Sequence, residues 1–174
     1  MNTPTTTVQL PATGTYRFDP ARSTIGFTTK HMFNLAGVKG SFALASGQLI
    51  VAEPVTASSV TAAAAVDSFS TGNPKRDTHV KSEDFLHSDV HPEITFQSTE
   101  LSLQDGTWTL RGNLTARGNS APLTLTVLDT SYQDDTLTVH AAGKVDRYAH
   151  QITKMKGMAG RYLKLDITAH ATRI

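Results

Sequence analysis

The sequence predicts an all-β domain, an antiparallel meander that either closes into a barrel or folds as a sandwich. Apolar residues recur with a period of two along most of the chain, and clusters of Gly, Asn, Asp and Pro separate the runs. At 174 residues, of which 39% are hydrophobic, the chain suits a single barrel-sized domain with a sizeable core.

The elements follow in order. The opening stretch, MNTPTTTVQL and the residues just after it, is rich in Thr and Pro and lacks periodicity. It reads as a flexible tail over residues 1–14, leaving 15–174 as the domain. Ile25 and Phe27 then alternate with Thr and Gly, and Val38, Phe42 and Leu44 follow. Gly47 breaks that run before Leu49 and Val51. Val60, Ala62, Ala64 and Val66 share one face of a strand, as do Ile94 with Phe96 and Leu101 with Leu103. Asp105-Gly106 is a hairpin signal ahead of Trp108, Leu110 and Leu114. Leu123, Leu125 and Val127 come next, and Asp134-Asp135 turns into Leu137, Val139 and Ala141. The last run places Leu163, Leu165, Ile167 and Ala169 on one face. Residues 70–91 lack alternation. There Asn73 is placed to cap a short helix with Pro74 at its first position.

Composition removes several function classes. Sixteen basic residues against fifteen acidic ones give a net charge of +1, which provides no global field for nucleic acid or an acidic membrane surface. Without cysteine there is no disulfide, thiolate metal site or cysteine nucleophile. No signal peptide and no transmembrane segment are visible, so a cytoplasmic location is expected.

The chemical motifs are weak. His87 and His91 stand four apart, but Ser88-Asp89 favours a turn and Pro92 biases His91 away from helical dihedrals. No metal site is expected, and solvated loop histidines are the better reading. Arg76, Asp77 and His79 form a charged cluster capable of acid–base work. It is read instead as a structural network, with Arg76 bridging carboxylates and His79 pinning a loop to a strand. There is no G-x-S-x-G, no G-x-G-x-x-G and no phosphate-cradling loop, so no catalytic residue and no cofactor are assigned.

The apolar faces are more informative. Val60-Thr61-Ala62-Ala63-Ala64-Ala65-Val66 would present small side chains to a barrel interior and leave volume unfilled. Ala141 with Gly143, and Gly112 between Leu110 and Leu114, repeat the pattern; close packing against an aromatic from the opposite wall explains it equally well. Between residues 144 and 164, six basic residues face a single acid, Asp146. Lys154-Met155-Lys156-Gly157-Met158-Ala159-Gly160 reads as a loop that is either plainly solvated, a lid, or a cationic landing point for a ligand head group.

Several spaced motifs resemble the YceI-like family of lipocalin-like, polyisoprenoid-binding barrels. They are Tyr16-Arg17-Phe18-Asp19-Pro20 through Phe27 with Lys30-His31, Gly37-Val38-Lys39-Gly40-Ser41-Phe42, Ser68-Phe69-Ser70-Thr71, and Arg76-Asp77-Thr78-His79 through Leu86. His91-Pro92-Glu93-Ile94-Thr95-Phe96, Arg111-Gly112-Asn113-Leu114 and Gly143-Lys144-Val145-Asp146-Arg147 follow in the same order, so the likeness covers about residues 15 to 172. Tyr16, Arg22 and His150-Gln151 depart from residues common in the family. The resemblance implies an extended eight-stranded antiparallel barrel with a short helical insertion around residues 73–90 and a long apolar channel. It implies that Arg76, Asp77, His79 and Asp84 organise the barrel mouth. It also allows a homodimer.

Three readings result. In the first, a non-enzymatic carrier or store binds a long-chain isoprenoid, isoprenoid quinone, fatty-acid-like amide or other amphiphilic lipid. Its contacts would be Ile25, Phe27, Phe42, Val60, Ala62, Ala64, Ile94, Phe96, Leu125 and Leu165. In the second, an enzyme acts on an isoprenoid or amide through Asp77 and His79. In the third, an interaction module fills its barrel with its own side chains.

Overall fold

The computed structural model describes residues 8–31 and 35–174. Nine strands run β1 (Gly14–Phe18), β2 (Thr24–His31), β3 (Ala36–Val51), β4 (Ser59–Ser70), β5 (Glu93–Gln104), β6 (Thr107–Ala116), β7 (Asn119–Gln133), β8 (Thr136–Asp146) and β9 (Tyr162–Arg173). All pair antiparallel. From β3 the order is β2, β9, β8, β7, β6, β5, β4, and β4 returns to β3, which closes the barrel. Strands β1 and β2 occupy one slot, because each pairs with both β3 and β9. The Asp19 side chain accepts from Ala21 N at 3.0 Å in the turn that breaks this stave. Nine strands therefore make the expected eight-stranded barrel.

Three hairpins fix the register of the middle of the barrel. Asp105-Gly106, Arg117-Gly118 and Asp134-Asp135 each join two strands through a two-residue loop with both φ values positive. That left-handed pair matches the twist of the flanking strands. Close backbone approach explains two glycines inside strands. A Cβ on Gly40 would lie 2.3 Å from the Phe27 ring, and one on Gly112 would lie 2.5 Å from the Phe96 ring.

One α-helix, α1 (Pro74–Lys81), joins β4 to β5. Asn73 caps it by accepting from Arg76 N at 3.1 Å, with Pro74 at the first turn. The helix ends at Lys81, and the insertion continues as turns through His91, with Phe85 N and His87 N both donating to the Ser82 carbonyl. Among the described residues no helix is long and apolar enough to cross a membrane.

The core is split. One cluster gathers Tyr16, Phe18, Leu44, Leu49, Val51, Leu137 and Ala171 near the end that holds the start of β1. The other gathers Phe27, Val66, Phe69, Phe85, Leu86, Ala116 and Ile152 near the end covered by α1. Tyr16 anchors the first: fully buried, it donates to the Ala12 carbonyl at 2.7 Å and lies 3.2 Å from the Tyr132 hydroxyl, and burial pushes its pKa up to about 12. Residues 1–7 of the expected tail lie outside the described residues. Residue Gln9, within the same expected tail, is tied to β7 through Thr130 Oγ1 and through Tyr132 N, which donates to Gln9 Oε1 at 2.7 Å.

Candidate ligand cavity

Inside the barrel lies a cavity of about 340 Å³, lined in part by members of both core clusters. Its wall is apolar because period-two alternation sends one set of side chains inward from every stave. Nine of the ten residues read from the sequence as ligand contacts line it: Ile25, Phe42, Val60, Ala62, Ala64, Ile94, Phe96, Leu125 and Leu165. Phe27 does not. It stacks on Phe69 with ring centroids 5.5 Å apart and packs against Phe42 at 5.8 Å, so its ring belongs to the cluster that closes one end.

The alanines and glycines of the wall have different roles. Ala62 and Ala64, on β4, border the open volume. Gly112 and Gly143 make room for bulky neighbours, the Phe96 ring and the Leu125 side chain. The alternation of large and small residues thus reflects both a cavity wall and close packing, at different positions.

Val8, Leu10, Pro11 and Val55 border the cavity at one end, and Leu86, Arg147, His150 and Ile152 at the other. Arg147 is buried to 7% exposure. Its Nε donates to the Gly160 carbonyl at 2.7 Å, Nη1 to Ile152 O at 2.8 Å and Nη2 to Ala159 O at 3.1 Å. No carboxylate among the described residues bonds it. Burial lowers its pKa, and the nearby Tyr148 and Asp146 side chains offset this only in part, while the three carbonyls and the Phe85 and Tyr148 rings surround the guanidinium. His150 Nδ1 lies 2.8 Å from the Asn119 carbonyl; since a carbonyl only accepts, that nitrogen carries the proton. Sequence reading missed both residues, because a charged or titratable side chain at a strand end is ordinarily solvated. The one signal was the Asp146-Arg147 motif within the family likeness.

The four residues assigned to the mouth form two separate pairings beside this end. Asp77 is buried and accepts from Thr71 N at 3.0 Å and Thr71 Oγ1 at 2.6 Å. Arg76 Nε donates to the same Thr71 hydroxyl at 2.8 Å, so Arg76 bridges no carboxylate, contrary to the expected network. His79 Nε2 meets Asp84 Oδ2 at 2.9 Å, and chiefly this contact holds the Asp84 carboxyl below its ordinary pKa. Asp77 and His79 thus hold different partners. His87 and His91 face each other edge-on with centroids 6.0 Å apart. Among the described residues no group of three His, Cys, Asp or Glu side chains is placed to hold a metal.

Comparison with known proteins supplies the family. The model of the YceI-like domain matches residues 16–171. A UPF0312 protein of Pectobacterium atrosepticum is 30% identical over 131 residues, covering 74% of this chain and 68% of the relative. Another, from Pectobacterium carotovorum, is 28% identical over 166 residues, 91% of this chain and 86% of its own. Among solved structures, BcnA of Burkholderia cenocepacia superposes with a TM-score of 0.78 at 20% identity, over 89% of this chain and 99% of its own. A polyisoprenoid-binding domain from Saccharophagus degradans, implicated in plant cell wall breakdown, gives 0.70 at 12% identity, over 91% and 98%. At these identities the solved structures speak for the fold alone.

Proposed function

We propose that this chain, which belongs to the YceI-like family, binds a long apolar or amphiphilic molecule inside its barrel and carries or stores it without chemical change. The observation that carries this reading is the cavity, about 340 Å³ of space walled by apolar side chains inside the barrel. A barrel whose own side chains filled it would leave no such volume. The shape suits a chain-like ligand. Fifteen residues of β7, at about 3.4 Å each and tilted about 40°, rise about 39 Å along the barrel axis. Each buried methylene contributes about 0.8 kcal/mol before ordering costs, so a long tail binds well in a preformed channel. The printed description of the Saccharophagus domain points the same way, toward an isoprenoid.

Asp77 is committed to Thr71 and His79 to Asp84, so the two do not form the single unit that the enzyme reading assigned to them, which favours the non-catalytic one. Arg76, Asp77, His79 and Asp84 are read as residues that shape the cavity end.

Mild purification, extraction with organic solvent and mass spectrometry test the reading. A stoichiometric isoprenoid, quinone or fatty amide is expected. Ala62→Trp and Ala64→Trp are expected to abolish uptake of an added polyprenol while the circular dichroism stays that of a barrel. A clean extract, together with no uptake from a polyprenol panel, would sink the carrier reading and favour the enzyme or the filled module.

A further inference from the structure

The net charge of +1 conceals an uneven distribution. On the outer wall Thr28 of β2 pairs with Lys39 of β3 on one side and with Lys164 of β9 on the other, and Lys164 pairs with Lys144 of β8. All four side chains are exposed, so three lysines lie in one row across four adjacent strands. Lys30 lies two residues further along β2. Like charges directly opposite each other weaken a sheet. Among the described residues none of Lys30, Lys39, Lys144, Lys156 and Lys164 forms an ion pair. No ion pair among the described residues relieves this repulsion.

Beside the row, segment 147–161 adds Lys154, Lys156 and Arg161 together with exposed apolar side chains, Met155 and Met158, and Tyr162 opens β9. Arg161 lies over both the Tyr148 and Tyr162 rings, and Lys144 Nζ sits 4.2 Å above Tyr162. The nearby acids are already engaged: Asp146 holds Arg161 through both oxygens, Asp84 holds His79 at 2.9 Å and Lys154 loosely at 3.8 Å, and Asp166, two residues from Lys164 on the same face, holds His140. Directly beneath, Arg147, His150 and Ile152 form the cavity's end.

Lysines alone would suit a nucleic acid, but protruding methionines would gain nothing on a phosphate backbone. Cations interleaved with tyrosine and methionine match the interfacial zone of a bilayer, where charge meets lipid phosphate and apolar tips enter the acyl boundary. We propose that this end of the barrel docks on the surface of an anionic phospholipid bilayer through Lys144, Lys164, Lys154 and Lys156, with Met155 and Met158 inserted. The docking stands on this surface alone; that it serves cargo exchange rests on the carrier reading.

Co-sedimentation of the full chain, free of cargo, with vesicles tests it. Phosphatidylcholine vesicles containing about 30% phosphatidylglycerol are expected to bind the protein, and pure phosphatidylcholine is not. Binding should fall away as salt rises to about 0.5 M. Each lysine near such a surface strengthens binding about fivefold, so Lys154→Glu with Lys156→Glu should weaken it at least about twenty-five-fold. Lys144→Glu with Lys164→Glu should do the same, and the loop pair keeps the test sound if the strand pair misfolds. Met155→Ser with Met158→Ser should weaken binding several-fold at unchanged salt dependence. Equal binding to neutral vesicles, or full binding by the loop charge reversal, overturns the proposal. Tighter binding to a single-stranded oligonucleotide that is indifferent to the methionines also overturns it and reassigns the surface. Polyprenol uptake in solution, measured separately, tells failure of docking from failure of the carrier reading.

Discussion

His140 shows how the outer wall responds to pH one residue at a time. Its Nε2 lies 2.7 Å from Asp166 Oδ1 and its Nδ1 3.4 Å from Asp129 Oδ2, so both nitrogens face carboxylates. The Asp166 contact, aided by Asp129, raises the pKa of His140 above its ordinary 6.5, against a smaller opposing effect of burial. A folded-state pKa above the unfolded one stabilises the fold at low pH, fully below about 6.5, and the gain disappears as pH rises through the folded value. Both acids are more than half exposed, so solvent screening keeps the effect to no more than about 1 kcal/mol. Urea denaturation at two pH values checks this. His140→Gln should cost most near pH 5.5 and least near pH 9, and a cost independent of pH would show that the clasp contributes no charge. The clasp was not legible in the sequence, because Asp129, His140 and Asp166 meet only through the pairing of β7, β8 and β9. Cavity residues were legible, since alternation alone decides which side chains point inward. Alternation does not decide what fills the interior at a given height, and there Phe27 joined the packed cluster.

Among the elements, segment 147–161 depends on one side chain. Arg147 holds Ile152, Ala159 and Gly160 by their carbonyls, and Asp146 caps the adjacent turn by accepting from Tyr148 N at 3.0 Å. Removing the guanidinium strands one buried acceptor, the Ile152 carbonyl, at about 1 kcal/mol or more, and two half-buried ones that water reaches in part. Arg147→Met should therefore loosen the segment and speed tryptic cleavage after Lys154 and Lys156 at least about tenfold, with a stability loss of about 2 to 4 kcal/mol. Arg147→Lys should behave nearly as badly, because an ammonium lacks the planar fork that reaches three carbonyls. Unchanged cleavage in both variants would mean that β8 and β9 alone hold the segment. Local chemistry made other elements readable. Asp105-Gly106 and Asp134-Asp135 became left-handed two-residue turns, and Asn73-Pro74 opened the helix. The far end of the helical insertion was not readable, since Phe85 and Leu86 are fixed by burial in the end cluster rather than by helical periodicity.

At the scale of the whole molecule, the barrel is a tube with an apolar inner wall and a partly open interior. Its two clusters are buried, while Ala62, Ala64, Leu110 and Val139 border unfilled space. Side chains facing such space lack dispersion partners on one side, so an occupant with apolar surface stabilises the folded state and not the unfolded one. The proposed function then gives a quantitative expectation. With one site and free ligand at about one hundred times Kd, stabilisation is about 2.7 kcal/mol. For a domain of this size that raises Tm by about 5 to 10 °C. Titrating a polyprenol should shift Tm upward in proportion to the logarithm of its concentration once past Kd. A short, polar prenol analogue should not. Ala64→Trp, which places an indole in the same space, should abolish the shift. A Tm indifferent to every long-chain amphiphile, in a barrel that Ala64→Trp leaves equally stable, would mean that the space is an internal void of the fold and no binding site.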